Sequence, residues 1–264
     1  MARSSHKKKP RRGPSPAAPP DAANARRDRV SGENSRIVGT SILAVVCSLL
    51  VSFPPLSPLL TAAAIARPLL RRIRSGESAA VTGALWRWAL TVFLTILVSA
   101  AFVRDRVLDS FPLAAPAARS VEAAISGSGD APFGVGFILA GFASFLVLSA
   151  VSFGVAGCVA VSIALGTAAA GAAVLYTHGN NVVLITLVAL PPWLWALTAA
   201  AIVSFPPAVA AGSRRLYRGA APEFDTAGLK RTSLIVAVLV AAALLMRLLL
   251  AGPYLSLVRH WTAL

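Results

Sequence analysis

Carboxylates are what this sequence most conspicuously lacks. Ten Asp and Glu residues serve 264 positions, and neither they nor any Lys fall in the middle of a long apolar run. Intramembrane carboxylates are the usual carriers of proton-coupled transport, because burial tunes them and lets them pair or relay. Their absence argues against a proton pump or antiporter. No HExxH occurs, so zinc-protease chemistry has no ligands, and no GxxxxGK[ST] occurs, which excludes a P-loop. No paired intramembrane aspartates are present. His6 lies in the N-terminal tail and His178 and His260 lie in or near loops, so no Ser–His pair can be placed in a span. The glycine-rich GSGDAPFGVG from Gly127 lacks both GxGxxG spacing and a preceding strand, and reads as a flexible loop. Cys47 and Cys158 are the only cysteines. Both lie in apolar runs and read as small buried hydrophobes with no disulfide framework. The pattern nominates no catalytic, cofactor-binding or metal-binding residue, and no cofactor is expected.

What is present is hydrocarbon. The chain is 56% hydrophobic and 13% charged, against ~25% charged in a soluble domain, and its mean hydropathy is +0.73. Several apolar runs reach the ~18 residues that mark a transmembrane helix. In lipid every backbone polar group must be paired internally, so such runs are helices. The period-2 alternation of a membrane β-strand is absent. The expected fold is all-α: a polytopic transmembrane helical bundle behind a disordered basic N-terminal tail. Residues 1–36 form that tail, residues 37–252 the helical domain, and residues 253–264 an interfacial C-terminal tail with Tyr254 and Trp261 at headgroup depth. Within the domain the pattern predicts a helical hairpin over 37–73 and spans at about 85–103, 133–153, 155–176, 182–205 and 232–252. The break between the middle pair falls near Phe153 and Gly154.

The first apolar region carries the topological question. In VSFPPLSP, Pro54, Pro55 and Pro58 interrupt the run after Val51, and proline both lacks an N–H and clashes with the preceding turn. Lys and Arg in short loops set orientation. The tail has ten of them, residues 67–78 have Arg67, Arg71, Arg72 and Arg74, and residues 212–231 have Arg214, Arg215, Arg218, Lys230 and Arg231. The 104–132 loop has Arg104, Arg106 and Arg119, offset by Asp105, Asp109, Glu122 and Asp130. All three basic blocks share one face only if residues 37–73 enter and return, with FPPLSP at the tip and arms of ~16 residues covering ~24 Å of a ~30 Å core. The alternative is a single long crossing, which places the ten basic residues outside. A signal peptide fits poorly, because the basic region before the apolar run is far too long.

Other features read as packing or anchoring. Arg247 lies in the last span near its outer end, where it can snorkel or contact a solute or lipid. Arg87, between Trp86 and Trp88, reads as an interface anchor. Ser152, Ala156, Ala160, Ala164, Ala168 and Ala172 form a small-residue stripe that lets helix backbones approach closely. Pro191 and Pro192, followed by Trp193 and Trp195, fall in mid-span, and VSFPP occurs again at Val203. Paired Pro-interrupted segments can mark an inverted-repeat transporter, but this match ends after five residues. The expected partners are the lipid bilayer, through anionic headgroups at the basic tail and loops, and a membrane protein at the small-residue face. Nucleic acid is not expected, since KKKPRRG lacks interleaved aromatics for base stacking.

Three functions fit these residues. The first is a non-enzymatic accessory or scaffold subunit acting through helix packing. The second is a permease, or permease subunit, for a neutral or anionic solute, built round the Pro-broken segments and Arg247. The third is a membrane enzyme acting on lipid headgroups through Glu223 and Asp225. The expected location is the cell membrane, with the N-terminus cytoplasmic and the C-terminus outside.

Overall fold

The computed structural model describes residues 20–74, 78–129, 134–178, 191–216 and 226–262, and among these all regular structure is helical. The helices are α1 (Pro20–Val51), α2 (Leu56–Arg74), α3 (Ser78–Phe102), α4 (Arg104–Ser110), α5 (Ala114–Ile125), α6 (Val135–Val151), α7 (Val155–His178), α8 (Pro192–Leu216) and α9 (Thr226–Thr262). Five segments are long and apolar enough to cross a membrane: Gly32–Val51, Ser78–Phe102, Val155–Tyr176, Pro192–Gly212 and Lys230–His260. That is the make-up of a multi-pass membrane protein.

The chain folds back at VSFPP. Pro54 and Pro55 cannot extend α1, and each biases the residue before it away from helical backbone. Ser52 takes a left-handed φ of 49° and its N–H donates to the Ser48 carbonyl at 3.0 Å, closing α1. The Leu56 N–H donates to the Phe53 carbonyl at 3.0 Å and opens α2. The two arms are antiparallel: Arg72 Nη2 donates to Glu33 Oε2 at 3.0 Å, while Thr40 Oγ1 donates to the Ala64 carbonyl at 3.4 Å. Numbers rise along α1 as they fall along α2. The 19 residues of α2 span about 28 Å, longer than the ~24 Å arms expected from ~16 residues. The extension comes from the basic flank, whose Arg72 is buried against Glu33 rather than left in a loop.

Several expected boundaries move for physical reasons. Residues 20–36, expected to be disordered, are the first turns of α1, propagated outward from its apolar half with Pro20 at the first helical position. Residues 1–19 of that tail lie outside the described residues. The span expected at 85–103 begins at Ser78. The helix expected over 133–153 is α6, whose 17 residues cover only about 26 Å. Of the span expected at 182–205 the described part is α8, which begins at Pro192, directly after the non-helical Pro191, and runs on to Leu216, with Trp193 and Trp195 in its first turn. Residues 182–190 lie outside the described residues. The basic loop expected over 212–231 is shortened at both ends by α8 and α9. The expected interfacial tail from residue 253 continues α9 through Pro253 to Thr262.

The 104–132 region, expected as a loop, holds two helices. Ala114, Ala117, Ala118, Val121 and Ala124 make one buried face of α5, a 3.6-residue periodicity. This face lies on α7, as does Phe111 at the α4–α5 turn. Gly166 and Gly171 permit the approach, since a Cβ at Gly166 would come within 2.6 Å of the Phe111 ring and one at Gly171 within 3.2 Å of Val121 Cγ2. The central helix is α7, which packs against α2, α3, α4, α5, α6 and α8. Its apolar window is 78% buried, against 6% for α9, which lies at the periphery on α8.

Polar contacts collect at two ends of the bundle. At one, Arg72 Nη1 donates to the Ala80 carbonyl at 2.9 Å, and Arg87 Nη1 donates to Asn34 Oδ1 at 2.7 Å. At the other, Arg104 donates to Glu122 at 2.9 Å, Arg106 to the Ser52 hydroxyl at 3.1 Å and Arg259 Nε to the Ala124 carbonyl at 2.9 Å. Helices α3 and α7 run parallel between them: Trp88 meets Ser162 through Thr61, while Arg104 meets the α5 turn that rests on Gly171. The α6–α7 turn at Ser152–Gly154 sits beside the second half of α8, with Phe205 over Gly154 and Gly212 against Ala150. The end of α8, bearing Arg214 and Arg215, therefore lies at the Arg72 end of the bundle.

Candidate functional site

A polar lock fixes the inner walls of the bundle. Thr61 on α2 shares a hydrogen bond with Ser162 on α7, and the Thr61 carbonyl accepts from Trp88 Nε1 on α3 at 2.8 Å. All three residues are buried, so these bonds satisfy groups that would otherwise cost free energy in an apolar setting. They join α2, α3 and α7 at one level.

On the other side of α3 and α7 lies a slot of about 330 Å³. Trp86, Leu90 and Phe93 of α3 form one wall, and Phe137, Phe142 and Leu148 of α6 the other. Ala160, Ala164 and Ala168 of α7, with Trp195, Thr198 and Ala201 of α8, form the floor. Leu90, Phe137, Leu148 and Trp195 are each at least 40% exposed, so the slot opens on the flank of the bundle. Phe93 and Trp195 meet edge to face at 6.1 Å, a favourable aromatic geometry that joins α3 to α8. Leu113 also lines the slot and holds a left-handed φ of 62°, rare for any residue but glycine.

The slot is chemically dry. Its two threonines spend their hydroxyl protons on their own helices: Thr167 Oγ1 donates to the Ile163 carbonyl at 2.7 Å and Thr198 Oγ1 to the Leu194 carbonyl at 2.8 Å. Ser144 is the one other hydroxyl residue in the lining. No Asp, Glu, Lys, Arg or His lines it among the described residues. A polar solute placed there without compensation would lose roughly 2–7 kcal/mol per buried group. A hydrocarbon would lose nothing comparable.

The residues singled out in the sequence fall in different places. The small-residue stripe divides: Ala160, Ala164 and Ala168 line the slot, Ala172 is buried in the bundle, and Gly157, Gly166 and Gly171 of the same helix leave room for Ser149, Phe111 and Val121. Arg247 of α9 lies over the ring of Trp193 at 5.4 Å, a cation–π contact that desolvation strengthens. The same buried indole meets Tyr254 edge to face at 5.2 Å, and its N–H has no acceptor among the described residues. Arg87 and Arg72 both reach Asn34 at the basic end. Pro191 and Pro192 precede the slot-lining Leu194 and Trp195. Glu223, Asp225 and the KKKPRRG run lie outside the described residues. Cys47 and Cys158 are free thiols on separate helices. Among the described residues no three His, Cys, Asp or Glu side chains come together.

Sequence reading alone did not find the slot. Its one legible trace is the run of aromatic residues, Trp86, Phe93, Phe137, Phe142 and Trp195, which pattern analysis assigns to ordinary apolar faces. No protein-family model matches this chain, and no curated protein and no solved structure matches it either.

Proposed function

We propose that this chain is a multi-pass protein of the cell membrane that acts by binding and helix packing rather than by catalysis, as an accessory or scaffold subunit. Its basic end faces the cytoplasm together with the N-terminus, and α9 carries the C-terminus to the opposite face. The observation that supports this reading is the separation of charge. Ion pairs and arginine contacts gather at the two ends of the bundle, and the slot between the helices has no charged lining residue among those described, its two threonine hydroxyls being bonded to their own backbones. Such an interior holds shape well and has little with which to move a proton or polarise a bond. The basic blocks prefer the cytoplasmic face because Lys and Arg resist translocation.

Affinity isolation of the full chain from its native membrane after mild cross-linking tests the subunit reading. A stoichiometric membrane-protein partner is expected. Recovery of the chain alone as a stable monomer overturns it. The slot favours a second reading, a permease whose solute is neutral and apolar; an anionic solute is disfavoured there. Proteoliposome uptake of a neutral solute that falls on substituting slot residues such as Phe93 or Trp195 would favour this reading over the first.

A further inference from the structure

We propose that the slot between α3 and α6 is a binding site for one acyl chain of a membrane phospholipid, whose headgroup sits at the basic end of the bundle. The proposal rests on the membrane reading above and adds a ligand to it. Four observations carry it. The volume of about 330 Å³ is at the lower end of the ~300–1,000 Å³ of small-molecule sites. The slot is elongated: Phe137 and Leu148 stand eleven positions apart on the α6 wall, or about 16 Å. Its lining is almost wholly apolar, and its two threonine hydroxyls are bonded to their own helices. Finally, the slot is flanked by a cation at one end: Trp86 adjoins Arg87, which is exposed there.

The physical logic differs from that of a soluble pocket. Lipid tails are as apolar as leucine, so burial alone does not draw a chain from the bilayer into the protein. What favours occupancy is contact: a void too narrow for other occupants forfeits dispersion on all its walls, and one chain restores it. The aromatic walls set by Phe93, Phe142 and Trp195 supply that contact area. Exposed Arg87 then selects the headgroup end through a charge-assisted contact to phosphate, which favours an anionic phospholipid.

The test uses the full chain in phosphatidylcholine vesicles containing phosphatidylglycerol with a photoreactive diazirine on one acyl chain. After illumination, adducts are mapped at residue level. The outward face of α9, with exposed Leu234, Val238, Leu248 and Leu249, serves as the internal reference for ordinary lipid contact. The expected result is labelling at Ala164 and Thr198 that saturates as the probe fraction rises, while labelling of the α9 face grows in proportion. In the double variant Gly141→Leu/Ala164→Leu the slot adducts are lost and the α9 adducts are unchanged. Gly141 suits this purpose because a Cβ there meets nothing within 4 Å. Slot labelling that grows in proportion with no saturation, or none at all while α9 is labelled, overturns the lipid site and leaves the membrane reading intact. Absence of label on α9 as well overturns both. The saturation curve needs no variant, so the test survives if the double variant does not fold.

Discussion

The pentapeptide VSFPP occurs at residues 51–55 and again at 203–207, and it does opposite things. At the first site the helix ends: Ser52 turns left-handed, Phe53 is 55% exposed, and α2 sets off antiparallel. At the second the helix continues through both prolines to Leu216. The difference lies in what surrounds the five residues. Phe205 is fully buried between Phe145 and Gly154, and beyond the prolines Gly212 lies against the backbone of Ala150. Packing on both sides of Pro206–Pro207 keeps the backbone helical through a break that its local chemistry favours. At the first site nothing encloses Phe53, and a third proline, Pro58, follows within the first turn of α2. Proline thus sets a preference, and tertiary contact decides whether the chain obeys it.

The contrast is sharpest in the two phenylalanines. Phe205→Ala should lower unfolding stability in detergent micelles by about 3–5 kcal/mol, whereas Phe53→Ala should stay within ~0.5 kcal/mol. Equal effects would remove the packing explanation. Next in size is the base of the first hairpin. Arg72→Ala removes contacts to Glu33, Asn34 and the Ala80 carbonyl and should cost about 2 kcal/mol, the scale of charged hydrogen bonds, read from the same unfolding curves. A change within error would mean that α1 and α2 are held by their apolar faces alone. Gly154→Ala should follow at about 1–3 kcal/mol, because a Cβ there overlaps the Phe205 ring and φ is +89°. The smallest effect has the opposite sign. Pro207→Ala returns a helical N–H to α8 and should raise stability by about 1 kcal/mol, while Pro55→Ala should instead weaken the turn, seen as a mixed population in topology labelling.

How much of this was legible follows the same division between local and tertiary causes. The all-helical fold was readable from run length and the lack of alternation, and the sites of the two helix reversals from VSFPP and from Phe153–Gly154. The α5 helix was readable too, since Ala114, Ala117, Ala118, Val121 and Ala124 keep helical spacing; the charges around them drew the eye to a loop. Harder was the far end of α8, because Pro206–Pro207 reads as a stop and only the packing of Phe205 and Gly212 carries the helix on to Leu216. The slot was out of reach. Whether Ala160 and Ala164 meet a neighbouring backbone or face a gap depends on where α6 sits, and α6 is positioned by Gly157, by Gly212 and by the ring of Phe205, all distant from it in sequence or across a turn.

The account as a whole depends on the first reversal placing residue 5 and the end of α8 on the same side of the bilayer. The direct measurement is single-cysteine labelling with a membrane-impermeant maleimide, in intact and in opened cells, for Ser5→Cys and for Ser213→Cys in a background of Cys47→Ala and Cys158→Ala. The account predicts that both sites are protected in intact cells and become reactive together when the membrane is opened. Labelling of Ser5→Cys in intact cells with Ser213→Cys still protected would contradict it, and would turn the first hairpin into a single crossing.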